Sequence, residues 1–508
     1  MWCSIHRNSP GLIKRCMHFL DTAIFVAYMI GVTLFGASFF KRNKTSSAFT
    51  LGNQNIPGWV ITLSIFATFV SSISYLALPG IAYQSNWNPF VFSLTIPLAA
   101  WMAVRFFVPL YRKINSPSAY SYLEERFGPW ARIYVSVCYL LTQLMRVGTI
   151  LYLLALTLHA IFGWNIALVI VLTGMAIMVY SLLGGFQAVV WTDAIQAILL
   201  MLGALITLIF IVLKMPGGAG QVWQIALEHG KLSLGSFSLE LSSSTFWVVL
   251  VYGIFINLQN FGIDQNYIQR YMASRSDRAA KRSALSGGLL YIPVSLVFLL
   301  IGTALYSFYI SGQAYLPPGL QDLDKADQVF PHFIVTQLPA GVAGLLIASI
   351  FAAGMSTIST SFNSAATVFL TDYYHKFTKK APDEKASMRV LYRTTIVITV
   401  LAITVALAMI NVKSALDAWW KLASIVSGGM LGLFLLGAFA RRSRNTGAVI
   451  AVVIGIAVIA WMSLSSLAED PSRYGNIFHS YLTIVFGTLA IFLTGFLISL
   501  WPGKFNRR

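Results

Sequence analysis

Charge is what this chain has least of. Of its 508 residues only 10% are Asp, Glu, Lys or Arg, while 57% are hydrophobic; a soluble globular chain carries about 25% charge. So little charge cannot cover a folded surface in water, which excludes a soluble enzyme or a string of soluble domains. Cysteine is nearly missing as well. Cys3, Cys16 and Cys138 are far apart and show no metal-ligand spacing, so no zinc site or disulfide framework is implied, and only Cys3 with Cys16 stays open as a pair. The apolar runs hold no His-Glu pair of the zinc-protease kind and no recurring Ser-His or paired-Asp arrangement, which leaves intramembrane hydrolysis without its chemistry. Strict polar–apolar alternation over about ten residues, the mark of a membrane barrel, is also lacking.

What is present is a series of long apolar runs, with a mean hydropathy of +0.73. Each exceeds the roughly 18 residues that a helix needs to cross the hydrocarbon core. With no water there to satisfy the backbone, helices are the remaining solution. Thirteen spans are expected near 19–40, 58–80, 89–111, 131–161, 164–183, 188–213, 246–268, 284–310, 339–374, 390–411, 418–440, 446–467 and 478–500, numbered here 0 to 12. The first, from Phe19 to Phe40, is too long for a signal-peptide core.

The formal net charge of +18 would suggest nucleic acid in a soluble protein, but its distribution points to a bilayer. Of 35 Lys and Arg, 24 fall on alternate connections: residues 41–44, 112–132, 270–282, 376–393, 441–444 and the tail 504–508. The positive-inside rule makes these cytoplasmic, with the N-terminus outside and the C-terminus inside. The turn between spans 4 and 5 has no charge to count. Residues 1–16 dissent with Arg7, Lys14 and Arg15, and Met17, two residues before Phe19, is read as the true start, which peptides from residues 1–16 of natively expressed protein would refute. Residues 116–127 read as a short amphipathic inner helix capped near Ser116 or Ser118. The acidic stretch 312–338 is either a lid or a solvated connection.

Five polar constellations interrupt the apolar runs. Span 1 holds Phe66-Ala67-Thr68-Phe69-Val70-Ser71-Ser72-Ile73-Ser74-Tyr75, and span 8 holds Ala352-Ala353-Gly354-Met355-Ser356-Thr357-Ile358-Ser359-Thr360-Ser361. Hydroxyls and the carbonyls of a broken helix suit a hard cation without leaving fixed charge in the membrane; close helix packing is the competing explanation. Asp193, early in span 5, adds a carboxylate that is costly in a bilayer unless it faces a partner or an ion. Arg146 lies about 20 Å from either end of span 3 at 1.5 Å per residue, too deep to snorkel. Placing it there costs about 2.5–3.5 kcal/mol on insertion scales. Its guanidinium can hold a carboxylate through two parallel hydrogen bonds, and no acidic residue stands out at the same depth to pair with it. Asn257-Leu258-Gln259-Asn260-Phe261-Gly262-Ile263-Asp264-Gln265 suits a discontinuous helix lining a cavity.

These stretches, with Leu183-Gly184-Gly185-Phe186, Trp191-Thr192-Asp193, Gln269-Arg270-Tyr271, Phe330-Pro331 and Asn363-Ser364, resemble the sodium/solute symporter family across nearly the whole chain from Met17. The resemblance implies an all-α polytopic protein of the leucine-transporter fold. Two inverted repeats of five helices (58–213 and 246–440) would then be flanked by an extra helix at 19–40 and peripheral helices at 446–500. It implies a sodium site from the backbones of Ala67, Val70 and Ala353 with Ser356 and Thr357. It implies a second from Asp193, Ser356, Ser359 and Thr360, and hence two sodium ions per cycle. Arg146 matches the position where bacterial sialic acid symporters of this family bind the substrate carboxylate. Ser71, Ser72 and Ser74 lie near it, with Phe69, Ser93, Asn257 and Asn260 as further candidates. Phe69 and Ser93 depart from the Thr and Gln expected there.

The expected function is sodium-coupled import of an organic anion such as sialic acid across a bacterial inner membrane, with sodium as the coupling ion and no cofactor. One chain suffices, and the partners are the solute, sodium and lipid rather than nucleic acid. A neutral sugar is the alternative substrate. A membrane sensor is the rival class, since the fold also occurs fused to kinase modules.

Overall fold

The computed structural model describes residues 19–114, 116–378, 383–411, 415–440, 442–465 and 476–500. Cys3, Cys16, Met17 and the tail 501–508 lie outside these. Apart from one bridge between Ile56 and Ser274, the regular elements among the described residues are helices. The principal ones are α1 (Phe19–Ala37), α2 (Gly58–Phe69), α3 (Ser72–Gln84), α4 (Phe90–Ile114), α5 (Pro129–Phe162), α6 (Ile166–Lys214) and α7 (Phe246–Ile263). They continue with α8 (Gln265–Ala273), α9 (Asp277–Ile310), α10 (Val342–Phe369), α11 (Glu384–Ala408), α12 (Ala415–Phe439), α13 (Asn445–Ser465) and α14 (Thr483–Leu500).

Ten of the described helices are long and apolar enough to cross a membrane, or eleven when the bent pair α2–α3 counts as one. The difference from thirteen arises in α6 and α12. α6 runs through 49 residues, about 73 Å at 1.5 Å per residue and more than twice a hydrocarbon core of roughly 30 Å. It turns back at Gly185, whose φ of 57° and ψ of −161° suit glycine alone. Asn43 fills the space a side chain there would need, a Cβ standing 2.4 Å from its Oδ1, and its Nδ2 donates to the Leu183 carbonyl at 3.4 Å. The sequence-read spans 4 and 5 are thus two helices that meet directly at the Gly185 kink. In α12 only Ala423–Phe439 is a continuous described apolar stretch.

Two helices are broken at matching places. α2 ends where Val70 turns extended (φ −82°, ψ 119°), and α3 resumes at Ser72 with a bend of 50°. α7 ends where Asp264 turns extended (φ −74°, ψ 123°), and α8 resumes at once, capped by the Asp264 side chain. Both breaks leave terminal backbone groups without helical partners, here inside the protein.

The basic connections gather at one end. Arg112 pairs with Asp277 at 2.8 Å, Arg132 with Asp372 at 2.6 Å and with Glu124 at 2.8 Å, and Lys376 reaches Glu124. Burial opposes the charge on Glu124, but hydrogen bonds from Lys376 and Arg132 outweigh it and hold the carboxyl below the usual range. The uncharged Gly185 turn lies at this end too, through Asn43. The inner helix expected over 116–127 is shorter, Ser121–Phe127, and Ser118 precedes it, its hydroxyl accepting from the Tyr120 N–H at 3.2 Å and donating to Asp372 at 2.9 Å. At the opposite end, Trp87 donates to Thr303 at 2.9 Å, Lys231 donates to the Tyr83 carbonyl at 2.7 Å and lies 3.7 Å from the Tyr306 ring centre, and Asp327 stands against Gly80. The stretch 312–338 is thus structured rather than a free loop: it includes Val329–Gln337 as a helix and packs on α3.

α1 is more than a peripheral addition. Its Asp21 is buried and accepts the Gly341 and Gly344 N–H groups at 2.7 and 2.9 Å. A carboxylate on one helix thereby caps the start of α10, where orphan donors and the helix dipole favour negative charge.

Candidate functional site

Both helix breaks face a cavity with an empty volume of about 880 Å³, counting the solvent in its mouth. Phe69, the last residue of α2, forms part of its wall, its ring centre 4.4 Å from that of Tyr291 and 5.5 Å from that of Phe261. Arg146 reaches in from α5 and donates from Nη2 to the Thr68 carbonyl at 2.8 Å. That carbonyl is one of those freed by the break in α2. A guanidinium has five N–H donors in a fixed fork, so most remain for a ligand.

Of the residues expected to bind substrate, Arg146, Phe69, Ser71, Ser74 and Asn260 line this cavity. Ser74 receives a weak hydrogen bond from the Tyr291 hydroxyl at 3.4 Å. Ser72, Ser93 and Asn257 are not among its lining residues, and each is buried. Asn257 turns its Nδ2 to α4, donating to the Phe92 carbonyl at 3.1 Å and to Thr95 at 2.9 Å, while its Oδ1 is buried without a hydrogen-bond partner. Ser72 starts α3 but turns its hydroxyl into the core. The cavity also takes Asp264, Gln259, Tyr267, Tyr252 and Thr142, which the sequence did not single out as substrate contacts. Asp264 corrects the expectation that no acidic residue shares the depth of Arg146. It lies four residues before the expected end of span 6, and the resumption of the helix as α8 keeps it inside.

A second polar centre surrounds Asp193, which is fully buried. Its Oδ1 accepts from the Ser356 hydroxyl at 2.6 Å, and its Oδ2 accepts from Ser64 at 2.6 Å and from Arg270 Nη2 at 2.6 Å. The same Nη2 donates to Thr360 at 2.7 Å, Nε donates to Ser64 at 2.7 Å, and Nη1 donates to the Asn266 carbonyl at 2.6 Å. Arg270 was counted with a cytoplasmic basic loop. It is instead 0% exposed, because residues 265–273 form a buried helix whose polar side chains are paired. Gln265 accepts from the Ala119 N–H at 2.8 Å, Asn266 donates to Gln143 at 3.1 Å, and Gln269 donates to Asn363 at 2.8 Å and to Thr50. The signal was available: α8 has little apolar character yet follows a span with no turn residues between.

The hydroxyls of α10 divide between roles. Ser356 serves Asp193, Thr360 receives Arg270, Ser359 donates to the Ser356 carbonyl at 3.1 Å, and Thr357 donates to the Ala353 carbonyl at 3.2 Å. α2 and α3, which carry Ala67 and Val70 at their junction, both pack on α10. Oxygen donors of the kind sodium favours thus lie on both sides of the break, and the one carboxylate among them already holds a guanidinium.

Residues 49–455 match the model of the sodium:solute symporter family. The chain is 32% identical over 481 residues to the sodium/sialic acid symporter SiaT of Proteus mirabilis, covering 94% of each. It is 27% identical to the human sodium-coupled monocarboxylate transporter 1, over 84% of this chain and 70% of that one. The structure of a substrate-bound, outward-open Na+-coupled sialic acid symporter superposes with a TM-score of 0.87 at 30% identity, covering 95% of this chain and 98% of that one. A nucleobase-cation-symport-1 family transporter in a closed conformation shares the fold at a TM-score of 0.53 and 16% identity, covering 90% and 94%. A broken-helix cavity beside a cluster of cation-type oxygen donors is what a solute carrier needs, and with these likenesses the chain belongs to the sodium:solute symporter family, a multi-pass membrane transporter of the leucine-transporter fold with sodium as its coupling ion.

Proposed function

We propose that this transporter imports a small organic acid, sialic acid foremost, and moves two sodium ions with each molecule. The observation that carries the reading is Arg146, a half-buried guanidinium beside a helix break with most of its donors unspent. Arg is the side chain suited to a planar carboxylate, and sialic acid supplies one. The similarity to sialic acid symporters of two bacteria, at 32% and 31% identity, supports the same substrate.

The first sodium would take the carbonyls of Ala67, Val70 and Ala353 with Ser356 and Thr357. The second would take Asp193, Ser356, Ser359 and Thr360, and the related sialic acid symporter structure is described as revealing a novel Na+ site. Arg270 shares Asp193 with this second ion, so the two positive charges meet at one carboxylate. Sodium at the break orders α2 and α3 and so favours substrate binding. Linkage then requires substrate to tighten sodium by the same factor. Residues 58–213 and 246–440 would be the two inverted repeats that rock against each other. The basic end faces the cytoplasm, with the N-terminus outside, and one chain carries out the cycle.

The test is uptake of N-acetylneuraminate into proteoliposomes under an inward sodium gradient. Sodium-dependent uptake that stops with Arg146→Ala, while sodium binding persists, is the expected outcome. Equal uptake of the methyl ester and the free acid would remove the carboxylate reading. A coupling ratio of one that Asp193→Ala leaves unchanged would remove the second sodium.

A further inference from the structure

The cavity carries one charged side chain of each sign. Among its described lining residues these are Arg146 and Asp264. Asp264 is 3% exposed, and its Oδ1 accepts the Asn266 backbone N–H at 2.8 Å as the cap of α8. A carboxylate offers about four lone-pair sites, and the cap uses one. Arg146 is the foremost charged group acting on it, and Arg146 also acts on Tyr267, one turn along α8 and likewise in the cavity wall.

A carboxylate that arrives at Arg146 brings a second negative charge next to Asp264. Like charges at short range in a poorly hydrated cavity repel strongly. Two features of an incoming molecule relieve this: a positive charge of its own, or hydroxyl and N–H donors turned towards Asp264. A bare aliphatic acid has neither, and it would strip water from Asp264 without replacing the lost hydrogen bonds.

We propose that Asp264 is a specificity-determining residue that accepts hydrogen bonds from the hydroxyl, amide or ammonium groups of the substrate, so that the cavity admits acids bearing such donors and rejects bare monocarboxylates. This rests on the carboxylate reading above and adds the second half of the recognition: Arg146 reads the acid, and Asp264 reads what the acid carries. Sialic acid, with its hydroxyls and amide N–H, fits that class. Other polyhydroxylated or zwitterionic acids do too.

The experiment measures binding to the full-length protein in nanodiscs at saturating sodium, by ligand-induced shift of the melting temperature. N-acetylneuraminate and gluconate serve as donor-bearing probes, pyruvate and hexanoate as bare ones. Asp264→Asn and Asp264→Ser both keep a side chain that caps helices about as well as Asp while removing the charge. The wild type should bind at least one donor-bearing acid and neither bare acid. The variants should bind the donor-bearing acid about 10- to 100-fold more weakly, as expected for a lost hydrogen bond to a charged group, and should now accept the bare acids.

Wild-type protein that binds pyruvate or hexanoate as tightly as the donor-bearing probes overturns the inference, whether or not either variant folds. So does an unchanged ratio of affinities in the variants. If Arg146→Ala abolishes binding in that case, the carboxylate reading survives alone. If Arg146→Ala leaves binding untouched, or the wild type binds none of the four acids, the carboxylate reading falls and this inference falls with it.

Discussion

Arg146 and Arg270 both sit within the membrane-spanning body of this transporter, and their surroundings differ in one respect that decides their roles. Arg270 is nearly saturated: four of its five N–H donors, on Nε, Nη1 and Nη2, reach Ser64, Asn266, Asp193 and Thr360, and the Phe186 ring centre lies 5.8 Å away. Arg146 spends Nη2 on one carbonyl, also meets the Tyr267 hydroxyl, and turns its remaining donors towards an open cavity. A buried guanidinium with its donors nearly filled is part of the frame. One left with donors to spare in a cavity is waiting for a ligand. The nearby carboxylates follow the same division, Asp193 being paired directly and Asp264 meeting Arg146 across a space that solute can enter.

The sharpest way to break this contrast is to remove Arg146. Arg146→Ala should lower kcat/KM for a carboxylate substrate by more than about 100-fold, since a charge-assisted bidentate contact is lost. Arg146→Lys should do nearly as badly because a point charge cannot replace the fork. The melting temperature and its dependence on sodium should hardly move; a large loss of stability would place Arg146 in the frame beside Arg270.

Arg270→Ala should behave in the opposite way. Breaking one side of a buried pair costs about 3–5 kcal/mol, so the purified protein should melt far lower. The double change Asp193→Leu with Arg270→Met should recover much of that loss while leaving the coupling ratio reduced. Full stability of Arg270→Ala would show that the pair does not hold the frame.

A smaller effect is expected where a carboxylate meets backbone rather than a guanidinium. Asp21→Ala removes the cap of α10 and should cost about 1 kcal/mol, within the usual range for caps, whereas Asp21→Asn should cost less. Thermal melting in detergent would decide. No difference between the two would assign the loss to packing instead of capping.

An effect that shows only as a pH dependence concerns Asp327, in the connection that packs on α3. Burial pushes its carboxyl up to about 6 from an ordinary 3.8. The folded state therefore holds this proton more tightly than the unfolded state does. Its contribution to stability is complete below pH 4 and is lost as the pH rises through 6. The melting temperature of Asp327→Asn should vary less between pH 4 and 7 than that of the wild type. Identical profiles would mean that this carboxyl is open to water.

Sequence carried a good part of this. Hydropathy located the membrane helices, and runs of hydroxyls and amides inside apolar stretches marked both broken helices, because a bilayer tolerates such groups only where they are satisfied or line a cavity. The depth of Arg146 could be counted directly along an uninterrupted span. Three features were hidden. Arg270 lies two residues past the expected end of span 6 and precedes Arg275, Arg278, Lys281 and Arg282, so its charged neighbours assign it to a loop although no turn residue separates it from the span; only a helix that restarts after its break draws it inward. Asp264 fell within span 6 as read, but so near its expected end that it was not placed at the depth of Arg146. Asn257 shows the reverse error, for it lies one turn from Asn260 on the same helix yet faces α4, and the spacing cannot tell which side of a narrow wall is hollow. Spans 4 and 5 were separated in the sequence by residues 184–187, but nothing there revealed that the two helices meet directly at Gly185.

The cap that Asp21 places on α10 has a bearing on how the chain is made. The carboxylate and the N–H of Gly341 are 320 residues apart. At a synthesis rate of about 5–20 residues per second, α1 leaves the ribosome roughly a quarter of a minute to a minute before its partner exists. For that interval Asp21 must be lodged at the membrane surface or sheltered by another protein, and the closing of α1 onto α10 comes as a late step in assembly. A cell that makes this transporter faster than its insertion machinery can shelter that first helix should accumulate chains whose beginning, rather than whose end, is out of place.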